Sequence, residues 1–287
     1  MADLSIAALV KQTAAAFSQA GIDSPELEAR LLLQHVLGLD HVGLILDWQQ
    51  QPDRAMQERF AALVKRRLGR EPLAYIVGER EFWSLPFAVS QDVLIPRPET
   101  EWLLEQALAH VRGAQIGHAL DLGCGSGVIA VVLALELECK VTAVDCSQGA
   151  LQQATLNARR HGVADRLNLL CGDFFAVLPA NVRYDLLLSN PPYVAAPEME
   201  QLEPEVREYE PHLALYGGKS VFDAIARISR QSGDVLLPGS WLFLEIGANQ
   251  AEAAQHLFIT APHRYEEVGV LPDLAGRPRV LRARLVA

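Results

Sequence analysis

Tyr184-Asp185-Leu186-Leu187-Leu188-Ser189-Asn190-Pro191-Pro192-Tyr193 is an apolar run that halts at two consecutive prolines. The run is short, nearly continuous in its apolar residues and closed by a breaker, which predicts a strand buried on both faces, as in a parallel sheet covered by helices. Asn190 to Tyr193 then stand at the carboxyl edge of that sheet, where open α/β folds bind ligands. The prolines hold the backbone nearly fixed, Asn190 brings an amide oxygen, and Tyr193 brings a flat face against which an amide or a base can rest. Such a loop suits a planar NH2 group. The amide oxygen and the backbone carbonyls of the loop can accept its two hydrogens, which would hold its nitrogen aimed at an electrophile.

Outward from this strand the chain alternates between two patterns. Strands are expected at residues 118–122, 140–145, 166–171, 184–189 and 241–246, with helices near 127–138, 147–161, 221–231 and 248–257. That alternation predicts an α/β fold with a parallel sheet. Two last strands, at 263–270 and 279–286, are separated only by Pro272-Asp273-Leu274-Ala275-Gly276-Arg277-Pro278, so they are expected to form an antiparallel pair at the end of the sheet. Seven strands result.

Toward the N-terminus the pattern is helical. Ser24-Pro25-Glu26 reads as an N-cap, an N1 proline and an early acid ahead of Leu27, Leu31, Leu32, Val36 and Leu37, with Gly38 as the stop. A second helix is expected over Asp53 to Leu68, with Phe60, Leu63, Val64 and Leu68 as its stripe. From Glu81 to Val89 the period changes to two, and Pro86 argues for an edge. The expected organisation is a helical bundle over residues 1–78, a strand or hairpin linker over 79–98, and the α/β domain over 99–287.

Composition narrows the function classes. The 287 residues carry 35 Asp and Glu against 25 Lys and Arg, a net charge of -10, with no Lys/Arg-rich block. That balance disfavours a protein gripping nucleic acid through its phosphates, so no direct nucleic-acid partner is expected. Cys124, Cys139, Cys146 and Cys171 lack C-x-x-C spacing and read as buried thiols of a reducing compartment, and the eight histidines form no ligand set, so no metal is expected. Met1-Ala2-Asp3-Leu4 lacks the basic start of a secretory leader, and no apolar run approaches the roughly 18 residues of a membrane span. A cytoplasmic enzyme with no membrane partner is the expectation.

Asp121-Leu122-Gly123-Cys124-Gly125-Ser126-Gly127 sits where the first strand of the α/β region turns into its helix. Glycines allow a ligand to approach the backbone and the helix N-terminus. The G-x-G-x-G spacing is not the dinucleotide pattern, and the carboxylate of Asp121 suits a ligand bearing an ammonium and a sulfonium better than a phosphate. Asp145 closes the next strand, where a carboxylate can take the ribose hydroxyls of an adenosine, and Gly172-Asp173-Phe174 closes the third, where an adenine can be hydrogen-bonded and stacked. Together with Asn190 these strand ends predict S-adenosylmethionine as cofactor.

With these residues in place the chain resembles class I S-adenosylmethionine-dependent methyltransferases, and among them the peptide-chain release factor glutamine N5-methyltransferase family. The resemblance rests on Arg80-Glu81-Phe82-Trp83-Ser84-Leu85-Pro86, Leu94-Ile95-Pro96-Arg97-Pro98-Glu99-Thr100-Glu101, the glycine turn, Ser189 to Tyr193, Tyr209-Glu210-Pro211 with Ala214-Leu215, and Asp273-Leu274-Ala275-Gly276. It implies a seven-stranded, mostly parallel Rossmann-like sheet. It also implies methyl transfer to the amide nitrogen of the glutamine in the Gly-Gly-Gln motif of class I release factors, its protein partners.

By the resemblance, Gly123, Cys124, Gly125, Ser126, Gly127, Asp145, Asp173, Phe174 and Asn190 would contact the cofactor, and Asn190, Pro191, Pro192 and Tyr193 the substrate. Asn190, Pro191 and Tyr193 are the expected catalytic set. Arg97, Glu99 and Glu210 are read either as flanking the substrate entrance or as structural ion pairs and caps. Asn-Pro-Pro-Tyr also occurs in enzymes that methylate an rRNA guanine N2 or a DNA adenine N6, so a nucleic-acid base stays open as substrate. A nicotinamide-dependent oxidoreductase is disfavoured by the glycine spacing, and a cofactor-holding module without turnover by the intact Asn190 loop.

Overall fold

The computed structural model describes residues 4–218 and 220–286. Of the start read above for a leader, Met1-Ala2-Asp3 therefore lies outside the described residues. The chain divides into two compact units, one comprising the residues up to Gly78 together with Pro204–Tyr209, the other Glu79–Glu203 and Glu210 onward.

The first unit is helical: α1 (Ile6–Gln19), α2 (Pro25–Leu37), α3 (His41–Leu46), α4 (Arg54–Leu68) and α5 (Leu73–Val77). Asp53 caps α4 as its sequence suggests, accepting the Met56 N–H at 2.8 Å. Ser24 does not cap α2 with its side chain: it takes a left-handed backbone, φ 51°, ahead of Pro25. The stripe of α2 is also shifted from the expected one. Ala29, Leu32, Leu33 and Val36, spaced as one helical face, are buried with Phe17, Leu44 and Phe60, whereas Leu27 and Leu31 are exposed.

The second unit opens with a hairpin of β1 (Glu79–Phe82) and β2 (Leu85–Ala88), paired Phe82 to Leu85. The elements that follow are α6 (Pro98–His110), β3 (His118–Leu122), α7 (Val128–Glu136), β4 (Lys140–Asp145), α8 (Gln148–Arg160), β5 (Leu167–Cys171) and β6 (Tyr184–Ser189). Three short helices come next, α9 (Ala196–Met199), α10 (Pro204–Tyr209) and α11 (His212–Leu215), and α10 is the segment that joins the first unit. The chain ends with α12 (Asp223–Gln231), β7 (Leu236–Glu245), α13 (Ala251–Ile259), β8 (Tyr265–Pro272) and β9 (Pro278–Leu285).

The sheet order is β5-β4-β3-β6-β7-β9-β8, parallel from β5 to β7 and antiparallel from β7 to β8. β7 begins five residues before the expected start, and Pro238 and Gly239 are absorbed where its pairing with β6 shifts between Tyr184 and Leu186. One face of the sheet packs on α6, α7 and α8, the other on α12 and α13. The strands β3, β4, β6 and β7 thus bury both faces, with Leu120 and Leu122 in one layer and Ala119 in the other. The order reverses direction between β3 and β6, which is the switch point at which such sheets leave a crevice.

Candidate active site

Parallel register brings the strand ends level. Leu122 pairs with both Val144 and Ser189, and Asp145 pairs with Cys171, so the residues after β3, β4, β5 and β6 share one edge. A cavity of about 280 Å3 opens there. Its walls include Gly123, Cys124, Gly125, Ser126, Asp145, Asp173, Phe174, Asn190 and Pro192 from the expected set, with apolar Val128, Ile129, Val144 and Ala150. The segment carrying Leu94, Pro96, Arg97 and Thr100 adds one side, and Pro211, Leu213, Ala214 and Tyr216 another.

The glycine turn is built on left-handed backbone: φ is 75°, 53° and 81° at Gly123, Gly125 and Gly127. A Cβ on Gly123 would stand 3.9 Å from the Asn190 carbonyl and 4.0 Å from the Phe174 ring, so the three elements crowd one point. Gly127 is not on the cavity wall. It faces the helix layer, where a Cβ would meet that of Ala154 at 2.9 Å, so packing demands this glycine.

Asp145 Oδ2 accepts the Gly125 N–H and Oδ1 the Ser147 N–H, each at 2.9 Å. Each oxygen keeps a further lone pair. Phe174 is held at φ 47°, a strained value for an aromatic residue. The guanidinium of Arg227 lies 5.5 Å from its ring centroid and 2.5 Å from Asp173, so the Asp173 carboxylate is already engaged by a cation.

Asp121 does not face the cavity with a charge. Alternation along β3 turns it toward α7, where Oδ2 accepts the Ala130 N–H at 3.1 Å and Oδ1 has no partner among the described residues. Burial pushes its carboxyl up to about 8, with the nearby Asp145 adding to the rise. The expectation that this carboxylate repels anionic ligands is therefore corrected: near neutral pH it is largely a buried, protonated acid. Two of the thiols are also corrected: Cys124 and Cys139 are buried, but Cys146 and Cys171, at the open ends of β4 and β5, are exposed.

Asn190 points its amide nitrogen at Thr100 Oγ1, 3.1 Å away, and Thr100 Oγ1 donates to Glu245 Oε2 at 2.7 Å. Among the described residues Asn190 Oδ1 accepts no hydrogen bond. Tyr193 and Pro191 do not line the cavity: the Tyr193 ring runs inward and its hydroxyl donates to Glu245 Oε1 at 3.3 Å, while Gln250 Nε2 donates to the Tyr193 carbonyl at 3.1 Å. Glu245 is fully buried, and burial pushes it up to about 7; desolvation also raises the Tyr193 phenol, so that hydroxyl keeps its proton.

Arg97 and Glu210 form a 2.6 Å ion pair, and the second Glu210 oxygen accepts the Ile95 N–H at 3.2 Å. Burial raises Glu210 while Arg97 opposes the rise. Glu99 pairs instead with Arg279, at 3.8 Å. Thr100, Glu245 and Gln250 were not singled out from sequence. The signal for Glu245 was there, a lone acid in Trp241-Leu242-Phe243-Leu244-Glu245-Ile246, since a carboxylate in a buried strand requires partners. Among the described residues there is no cluster of three or more metal-ligating side chains, and no helix long and apolar enough to cross a membrane.

Residues 8–78 match the family described as PrmC N-terminal domain, and residues 99–205 the methyltransferase small domain. The release factor glutamine methyltransferase of Cereibacter sphaeroides is 46% identical over 269 residues, covering 93% of this chain and 94% of that protein. That of Bordetella pertussis is 43% identical, covering 89% and 93%. Among solved structures, a methyltransferase from Pyrococcus furiosus superposes with a TM-score of 0.51 at 17% identity, over 71% of this chain and 90% of that one, which speaks to the fold alone. With 46% identity extending over nearly the full length of both proteins, the chain belongs to the release factor glutamine methyltransferase family.

Proposed function

We propose that this enzyme transfers a methyl group from S-adenosylmethionine to the side-chain amide nitrogen of the glutamine in the Gly-Gly-Gln motif of class I peptide-chain release factors. One observation carries the reading: Asn190 stands on the cavity wall with its NH2 consumed by Thr100 and its Oδ1 uncommitted. An acceptor held in this way recognises an N–H donor, as a primary amide is.

The cavity fits the cofactor. The glycine turn leaves space where side chains would stand, Asp145 retains lone pairs for vicinal hydroxyls, and Phe174 offers a ring in a cavity that apolar Val144 and Ile129 also line. Bound there, S-adenosylmethionine supplies an electrophilic methyl group on a cationic sulfur. The chain contributes positioning. Asn190 Oδ1 takes an amide hydrogen, which orients the nitrogen that must attack, and the apolar walls exclude water that would solvate it. No base is needed before attack, because the amide nitrogen becomes acidic only as it gains the methyl group.

Mass spectrometry of a release factor incubated with enzyme and S-adenosylmethionine should show one added methyl on the Gly-Gly-Gln peptide, and none in ribosomal RNA or duplex DNA treated alike. Methyl found in nucleic acid alone would overturn the substrate. Asn190→Ala is expected to bind cofactor within a few-fold of wild type and to lose about 10²-fold in turnover, the scale of one polar transition-state contact. Turnover near wild type in that variant refutes the clamp.

A further inference from the structure

The amide of Asn190 can face its ligand in either of two ways, and only one presents an acceptor. Its direction is decided by groups outside the Asn-Pro-Pro-Tyr loop. β6 and β7 pair Ser189 with Leu244, so the next residue of each strand, Asn190 and Glu245, stands at the same level of the sheet edge. Thr100, in the first turn of α6, lies between their side chains, 3.1 Å from Asn190 Nδ2 and 2.7 Å from Glu245 Oε2. Thr100 and Glu245 are 3% and 0% exposed, so these bonds are shielded from bulk water.

A hydroxyl has one hydrogen to give. In its ionised form Glu245 takes hydrogens from two hydroxyls, those of Thr100 and Tyr193, and has none to return. Thr100, having given its hydrogen to Glu245, can only accept from Asn190. The Asn190 amide must therefore turn its NH2 inward and its Oδ1 outward.

We propose that Glu245 and Thr100 are positioning residues for methyl transfer: a one-way chain of hydrogen bonds from Asn190 to Thr100 to Glu245 sets the Asn190 oxygen toward the substrate amide. This rests on the substrate reading above. The same carboxylate holds the Tyr193 hydroxyl, so one buried acid orders both ends of the Asn-Pro-Pro-Tyr loop. In Glu245→Gln the neutral side chain can donate to Thr100, which frees Thr100 to donate to Asn190 and reverses the amide. Thr100→Val removes the link, and Thr100→Ser keeps it.

The test is steady-state methylation of a release factor by full-length variants, with cofactor affinity from calorimetry. Thr100→Val and Glu245→Gln are expected to lose about 10- to 100-fold in kcat. Their KM for the release factor and their cofactor Kd should stay within about threefold, since only the reacting nitrogen is misdirected. Thr100→Ser should restore kcat to within about threefold of wild type, which a loss of packing alone would not allow. Should Thr100→Val fail to fold, Glu245→Gln carries the same expectation. The proposal is overturned if Glu245→Gln keeps wild-type kcat, if the loss lies in cofactor Kd, or if Thr100→Ser is as impaired as Thr100→Val. Impairment of Asn190→Ala beside an unimpaired Glu245→Gln would refute the positioning chain and leave the substrate reading standing.

Discussion

Asp121 shows how one buried group leaves a mark on the stability of the whole chain. Its folded-state value of about 8 lies well above the roughly 3.9 of an unfolded aspartate. Between those values the native chain holds a proton that the unfolded chain has released, so this group makes stability fall as pH rises through the window. Below the unfolded value both states are protonated and the difference vanishes. Asp121→Asn has no proton to lose. Urea midpoints from about pH 5 to pH 8 should therefore show wild type losing stability relative to the variant, and parallel curves would mean that Asp121 is ionised in the native state. At this scale the sequence was informative about place and less so about direction. Gly123 and Gly125 marked the cavity wall, but Gly127 answers to Ala154, a residue on α8 that no local spacing could announce. The inward turn of Tyr193 likewise depends on Glu245 and Gln250, far along the chain.

The elements around the site are tied together by a few polar side chains. Asn157 on α8 is fully buried; its Oδ1 accepts the Ala88 N–H at 2.7 Å, and its Nδ2 donates to the carbonyls of Ala88 at 3.0 Å and Ser126 at 2.8 Å. One side chain thus satisfies the end of β2 and braces the glycine turn. Asn157→Ala leaves three backbone groups without their partner, the Ser126 carbonyl buried and the two of Ala88 half-buried, and is expected to cost about 2–4 kcal/mol in urea unfolding. Cofactor affinity should weaken as well, because Ser126 loses its brace; a variant with unchanged stability would show that water replaces the amide. The strands and longer helices of the sheet unit were legible here from apolar runs and helical stripes bounded by breakers, whereas the short helices α9, α10 and α11 were not. The hairpin was legible as an alternation, but not its turn. Trp83 and Ser84 both take left-handed backbone, φ 56° and 55°, in a two-residue loop that ordinarily calls for Asn and Gly. Glu101 accepts the Trp83 N–H at 2.7 Å and Glu136 the indole N–H at 2.8 Å, and these bonds offset the strain in place of the usual residues.

Across the whole molecule the path of the chain is the feature that sequence order conceals. It leaves the catalytic unit after Glu203, contributes α10 to the helical unit, and returns at Glu210, the buried partner of Arg97. The base of this excursion is closed by a bridge between Val194 and Tyr216. A six-residue helix has no stability of its own in water, so the order of α10 must come from what it touches. Those contacts are polar: Glu205 pairs with Arg67 at 3.0 Å and Arg70 at 2.8 Å, Arg67 also holds Glu28 at 2.5 Å, and the Tyr209 hydroxyl donates to the Gly69 carbonyl at 2.6 Å. The partners lie too far apart in sequence for any local reading to join them. Arg67 is 5% exposed, and removing it leaves Glu28 and Glu205 without a shared cation, a loss on the order of 3–5 kcal/mol for a buried pair. Arg67→Met, which keeps the length and the apolar stem, should therefore speed amide exchange in residues 204–209 and in α2 and α4, while β3 and β6 exchange as in wild type. Equal protection of 204–209 in both proteins would show that α10 is held by the Tyr209 bond instead. Uniform acceleration through the central strands would show that the helical unit and the sheet unfold as one cooperative body.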